Sequence, residues 1–193
     1  MKVLVACEMS GIVREAFRKR GHEAWSCDIL PTEIPSRYHF QDDVMNHLDK
    51  KWDMMIAHPP CTFLCNSGVS WLYKDDSRWG ELKKGSEFFK VFLNSTIPQI
   101  CIENPIPHKY AELPEYTQIV QPYQFGHSER KATCLWLKNL PKLKETNNVY
   151  DEMKRLPKNL SQRIHYTSPG KERSKIRSRT FQGIADAMAE QWG

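Results

Sequence analysis

Long apolar runs are missing from this chain of 193 residues: 40% of its residues are apolar, yet no stretch approaches the roughly 20 needed to cross a bilayer. A membrane-spanning helix is therefore not expected. The opening run KVLVAC is too short for the apolar core of a secretory signal, and no small-residue cleavage site follows it. An intracellular, cytoplasmic setting is expected, with reduced thiols. Ligand sets for a metal are scarce too. The cysteines at 7, 27, 61, 65, 101 and 134 are scattered, mostly at the ends of apolar runs where a thiol acts as a small hydrophobe. Cys61 and Cys65 form a CxxxC with His58 upstream, but no second ligand pair follows at a zinc-like spacing, so no metal is expected. The fingerprint G-x-G-x-x-G is absent as well. Glu8, Met9 and Ser10 crowd the turn where a pyrophosphate needs bare backbone, which argues against a dinucleotide fold. Acids are nearly absent from one stretch: Arg163, Lys171, Arg173, Lys175, Arg177 and Arg179 are accompanied by Glu172 alone. Such a density suits phosphate contacts, or forms a solvated face. The formal net charge of +5 is modest by comparison.

What is present alternates between strand and helix. Lys2 to Cys7 and Glu23 to Ile29 read as strands flanking a helix whose start is capped by Ser10 and whose end is Gly21. That β-α-β unit implies parallel strands with a right-handed crossover. Trp52 to Ala57 and Ile97 to Ile102 are further strands, with a Phe- and Leu-rich helix over Leu82 to Leu93 between them. Gln118 to Gln124 and Ala132 to Leu137 are separated by the polar FGHSERK segment, which implies an antiparallel pair at one edge. A polar stretch follows at about 138–180, then an amphipathic helix from about Gln182 to Gln191. One α/β domain over 1–193 is expected, mostly parallel, with helices on both faces.

In such sheets ligands bind beyond the carboxyl ends of the strands. The segment Ala6-Cys7-Glu8-Met9-Ser10-Gly11 links the first strand to a helix N-terminus whose free N–H groups can meet a carboxylate, with Gly11 allowing close backbone approach. Asp28 ends the second strand near the spacing at which an acid reaches ribose hydroxyls, Ile29 follows it, and Asp43 is placed to receive an adenine amino group. The alternative is that these are ordinary loop acids and an ordinary turn. Next comes His58-Pro59-Pro60-Cys61, directly after a strand: two prolines stiffen the exit and present Cys61 at the sheet edge. Ile102-Glu103-Asn104-Pro105 leaves the following strand in the same manner, so thiol and carboxylate can meet one substrate. A pyrimidine C5 is too weak a nucleophile to be alkylated unaided. It needs a thiolate added at C6, and an acid at N3 and the exocyclic amine, roles open to Cys61 and Glu103. A free thiol is mostly protonated at neutral pH, and Lys131 or Arg130 would supply a cation to lower it. The alternative is packing for Cys61 and a cap for Glu103.

Taken together, these segments resemble the DNA cytosine-5 methyltransferases, nearest to short phage-type members, over almost the whole chain. MSGIVREAF resembles the cofactor loop, Asp28 and Asp43 the ribose and adenine acids, HPPCTF the proline-cysteine nucleophile motif, and IENP the glutamate-asparagine motif. FGHSERKATCLWL resembles the edge hairpin that carries a basic residue, and GIADAMAEQW the terminal helix beside the cofactor. The resemblance implies a Rossmann-like class I methyltransferase fold and S-adenosylmethionine held by Ala6, Glu8, Met9, Ser10, Gly11, Asp28, Ile29, Asp43 and Pro59. It also implies catalysis by Cys61, Glu103 and Lys131, on DNA as a duplex with its base flipped out or as a single strand. Three departures stand out: Thr62 replaces the usual glutamine, the hairpin reads ERKAT, and the large target-recognition segment is reduced to the polar stretch at about 138–180. Two alternatives therefore stay open. Amino-directed methyltransferases share the paired prolines but follow them with an aromatic residue, and a degenerate fold of this type can bind DNA without turnover. The segment NSGVSWLYKDDSRWG, with Trp71, Tyr73 and Trp79, reads as a loop that closes over the base or as a surface loop with tucked aromatics.

Overall fold

Strands form where apolar and β-branched residues cluster, and their alternation divides the side chains between two cores. The computed structural model describes residues 1–170 and 172–193. Four parallel strands form the centre: β1 (Lys2–Ala6), β2 (Glu23–Asp28), β4 (Met54–Ala57) and β5 (Gln99–Pro105), with β3 (His39–Gln41) parallel to β2 at one edge. At the other edge β7 (Thr133–Lys138) runs antiparallel between β5 and β6 (Gln118–Val120), so the sheet order is β3-β2-β1-β4-β5-β7-β6. This is the mostly parallel, Rossmann-like sheet with an antiparallel edge pair, as expected.

Along β1, Val3 and Val5 point to one face and Leu4 and Ala6 to the other, following the period of two. On the first face lie α1 (Ile12–Lys19) and the terminal helix α6 (Gln182–Trp192), with Val13, Phe17, Ile184, Met188 and Trp192 in one core. On the second lies α2 (Ser77–Leu93), with Leu82, Phe89 and Phe92 against Ile100, Ile102 and Trp136. Buried on both sides, the central strands have no polar face, the usual condition of a parallel sheet. Three short helices, α3 (Tyr150–Arg155), α4 (Lys158–Ser161) and α5 (Arg173–Ser178), occupy the stretch read as polar.

Several boundaries differ from expectation, the strand at Gln118 ending at Val120 rather than Gln124 among them, and two have clear causes. The helix α2 begins at Ser77 rather than Leu82, because Asp75 Oδ1 accepts from the Ser77 backbone N–H at 3.0 Å and fixes the start outside the apolar pattern. Strand β5 continues through Glu103 and Asn104 to Pro105, because β7 pairs with it there, Glu103 opposite Leu135 and Asn104 opposite Cys134. Glu103 is thus a strand residue, not the first residue of a loop.

Candidate active site

The parallel register aligns the strand ends. Ala6 pairs with Cys27 on one side and Ala57 on the other, and Ala57 with Ile102. The next rung, Asp28, Cys7, His58 and Glu103, therefore lies across the carboxyl edge of four strands. Above it opens a cleft of about 1150 Å³, lined among others by Glu8, Met9, Ser10, Asp28, Ile29, Asp43, His58, Pro60, Cys61, Cys65 and Lys131.

On the β1–β2 side, Glu8 has a role that the sequence did not disclose. Its Oε1 accepts from Val13 N at 2.7 Å and from the Ser10 hydroxyl at 3.1 Å, and its Oε2 from Arg14 N at 3.3 Å. The N-terminus of α1 is thereby satisfied by a side chain of its own chain, and its N–H groups are not free for a ligand carboxylate. Ser10 is not the N-cap either, since Gly11 holds that place with φ +75°, although Ser10 Oγ accepts from Ile12 N at 3.3 Å. The local structure itself calls for glycine at 11: besides its left-handed φ, a Cβ there would stand 2.6 Å from the Arg14 guanidinium. Ala6 and Pro59 are buried and do not line the cleft, whereas Pro60 does. Asp28 Oδ1 accepts from Leu30 N at 2.9 Å and Asp43 Oδ1 from Met45 N at 2.9 Å, which leaves Oδ2 of each for a ligand. Burial raises the Asp28 carboxyl above its ordinary value, the Leu30 N–H and nearby histidines opposing it. Ile29 lies beside them with 74% of its surface exposed, bare apolar area at the rim of the cleft.

The turn after β4 is held from three directions. His58 N donates to Ala6 O at 2.9 Å, Asn104 Nδ2 donates to Pro59 O at 3.1 Å, and Cys61 O accepts from Leu64 N and Cys65 N at 3.0 and 3.1 Å. The last contact closes one turn of helix, which brings the thiols of Cys61 and Cys65 together; both are free and both line the cleft. The neighbouring Cys65, burial and the charge of Glu103 push the Cys61 thiol up, with Lys131 alone opposing. Cys65 is drawn down by its neighbour Cys61 against the effect of burial, with help from Ser67 and Arg177. Cys65 thus stands beside Cys61 in the cleft, a residue that the sequence offered only as half of a metal-like spacing.

Glu103 is 8% exposed and does not line the cleft, contrary to expectation. Its Oε2 lies 2.7 Å from His58 Nδ1, and His58 does line the cleft. Burial pushes the Glu103 carboxyl up, but the His58 hydrogen bond, Lys131 and Thr133 outweigh it and hold the group below its ordinary value. Lys131 lines the cleft as expected, with Nζ donating to Arg179 O at 3.3 Å.

Across the cleft the basic segment divides. Arg173, Lys175 and Arg177 line it, all from α5. Arg163 and Arg179 are committed elsewhere: Arg163 pairs with Glu129 at 2.9 Å, and Arg179 makes two bonds of 2.8 Å to the Glu33 carboxylate. Lys171 lies outside the described residues. The aromatic segment folds as a 3-10 turn, Asn66–Tyr73, leading into α2. Only its first residues, Asn66 and Ser67, line the cleft; Tyr73 and Trp79 pack edge-on against Tyr110 instead, and Trp71 is exposed.

No family model and no curated protein matches the chain in sequence. Among solved structures, a prophage-encoded E. coli protein provisionally named a DNA modification methyltransferase aligns with a TM-score of 0.47 at 17% identity, over 80% of this chain and 55% of that one. The Entamoeba histolytica methyltransferase EhMeth aligns with a TM-score of 0.45 at 13% identity, over 76% of this chain and 57% of its own. The chain spans little more than half the length of either.

Proposed function

We propose that the chain transfers a methyl group from S-adenosylmethionine to carbon 5 of cytosine in DNA. The observation that supports this reading best is the shared cleft: Cys61, on its proline-stiffened turn, lines the same cavity as Asp28 and Asp43 and as the cations of α5. The cofactor fits the residues present. Two carboxylates with an uncommitted oxygen each suit ribose hydroxyls and an adenine amino group, and the bare Ile29 side chain suits the ring face. When bound, the cofactor supplies an electrophilic methyl group.

The remaining chemistry belongs to the chain. Cys61 loses its proton to solvent and adds its sulfur as the thiolate to C6 of a cytosine turned into the cleft, with the Lys131 ammonium favouring the charged form. The pair of electrons displaced from the C5–C6 double bond raises the density at C5, the ring charge being offset by Lys131. After methylation the C5 proton leaves, the double bond re-forms and the Cys61 sulfur is expelled. Arg173, Lys175 and Arg177 hold phosphates while the base is out of its stack.

A second reading, a DNA-binding protein without turnover, is favoured by one feature: the Cys61 thiol is pushed up while Glu103 is kept out of the cleft. Incubation with S-adenosylmethionine and DNA carrying 5-fluorocytosine decides between them, since fluorine at C5 cannot leave as a proton and freezes the adduct. A denaturation-resistant protein–DNA complex is expected, absent in Cys61→Ser, whose cofactor affinity is unchanged. Bound DNA with neither an adduct nor tritiated methyl transfer would overturn the enzyme reading.

A further inference from the structure

Of the six free thiols, those of Cys27, Cys101 and Cys134 have no exposed surface and pack in the two cores. Cys61 and Cys65 belong to neither core, stand in one turn and line one cleft, yet the proposed function uses only the first. We infer that the pair is a reversible modification site: a low-molecular-weight disulfide such as glutathione disulfide joins the two sulfurs, and the bond withdraws the nucleophile until a thiol reduces it. That the sulfurs join rests on their placement. That joining them stops methyl transfer rests on the cytosine reading above.

Three observations carry it. First, the pair is within bridging reach. Cys65 N donates to Cys61 O at 3.1 Å, which closes an α-turn over the residues between them. Residues four apart in such a turn share a face and have Cα atoms roughly 6 Å apart, inside the span of about 4.4–6.8 Å that a disulfide bridges. Second, the turn is held at both ends. Two prolines precede Cys61, while beyond it His108 N donates to Leu64 O at 2.9 Å and Asn66 N to Ile106 O at 3.1 Å, pairing Cys65 with Pro107. Third, the two thiols suit successive steps of an exchange. Cys61 is the more open, partly exposed in the wall of the cleft, and meets the incoming disulfide first. Cys65 is only 8% exposed, but its sulfur lies 3.1 Å from Ser67 Oγ, and Cys61, Ser67 and Arg177 draw its thiol below the ordinary value. A thiol favoured in its charged form is the group that resolves a mixed disulfide.

The exchange balances. The Cys61 thiolate attacks one sulfur of glutathione disulfide, that S–S bond breaks, and one glutathione leaves with the proton Cys61 has lost. The Cys65 thiolate then attacks the Cys61 sulfur, and the second glutathione leaves with the Cys65 proton. Two electrons pass from the protein thiols to glutathione disulfide, which becomes two glutathiones.

The tryptic peptide spanning 52–74 holds both cysteines and no other, so the wild-type protein gives the answer without cofactor or DNA. After equilibration with glutathione disulfide, blocking of free thiols and digestion, this peptide should carry two fewer hydrogens and no blocking group, and dithiothreitol beforehand should restore both thiols. A glutathione left on Cys61, both cysteines blocked, or a bond formed between Cys7 and Cys27 instead, would overturn the inference. The consequence is read by trapping. Oxidised protein should lose its adduct with 5-fluorocytosine DNA in proportion to the fraction bridged, and recover it on reduction. Bridged protein that traps as well as reduced protein would overturn the switch, whereas reduced protein that bridges on oxidation but never traps would sink the cytosine reading and leave the thiol pair standing.

Discussion

Arg14 has no exposed surface, yet it is a charged residue near the start of a helix. Its guanidinium donates to Ser26 Oγ at 2.8 Å, Thr32 Oγ1 at 3.2 Å and Ile34 O at 2.9 Å, and its Nε meets Glu15 at 2.8 Å. Its bonds to Thr32 and Ile34 reach the loop that follows β2 and its bond to Ser26 reaches β2 itself, so a buried charge serves as a strut holding the rim of the cleft to α1. Buried charge also sets the response to acid at Glu103. Its folded value lies below the ordinary 4.5, so the carboxylate adds stability that is complete above that pH. The contribution is lost as pH falls through the depressed folded value, where a proton must enter and the His58 bond is broken. Thermal melts between neutrality and pH 3 should therefore show a steeper acid loss for wild type than for Glu103→Gln. Parallel curves would mean that Glu103 is not ionised in the folded protein.

At the scale of elements, two glycines in helices have opposite expectations. Gly183, in the first turn of α6, donates its N–H to His127 Nε2 at 2.9 Å, and a Cβ there would stand 1.9 Å from Phe125 O. Gly183→Ala must push α6 off the segment beneath it, and a cost of about 1–3 kcal/mol is expected in denaturant unfolding. Gly80, inside α2, has nothing within 4 Å of the same position, so Gly80→Ala should stabilise by about 0.5–1 kcal/mol. Equal effects at both sites would show that the backbone of α6 does not approach Phe125 so closely.

The elements themselves were largely legible in the sequence, because strands such as Val3 to Ala6 and Met54 to Ala57 are continuous apolar runs and α6 is amphipathic. Legibility stops where an outcome depends on what lies beside a residue rather than along the chain. Glu8 reads as a crowding side chain in a ligand turn until the helix it caps is in place. His58 and Glu103 are far apart in sequence and meet only because β4 and β5 are neighbours in register, one rung beyond Ala57 and Ile102. The signal available was position: His58 stands immediately before the paired prolines, and the thiol was read instead. Arg163 and Arg179 count as free cations in a composition, and their acids, Glu129 and Glu33, come from distant segments.

For the whole molecule, that division of the basic residues is measurable. Removing a cation that neutralises a phosphate reduces the slope of log affinity against log salt by about one. Arg177→Ala or Arg173→Ala should each do so in DNA-binding titrations, whereas Arg163→Ala should leave the slope unchanged, its charge being spent on Glu129. A drop at Arg163 equal to that at Arg177 would refute the proposed DNA-facing wall.

The belt running from α5 to α6 is anchored on both banks of the cleft. Arg179 grips Glu33 beside the β2 rim with its side chain, while its carbonyl receives Lys131 from the side of Cys61. One stretch of backbone therefore ties both sides together, and in the proposed reaction whichever ligand settles it first spares the next the entropy of doing so. Under the proposed function the two affinities are linked: DNA should tighten the hold on the methyl donor by the same factor that the donor tightens the hold on DNA.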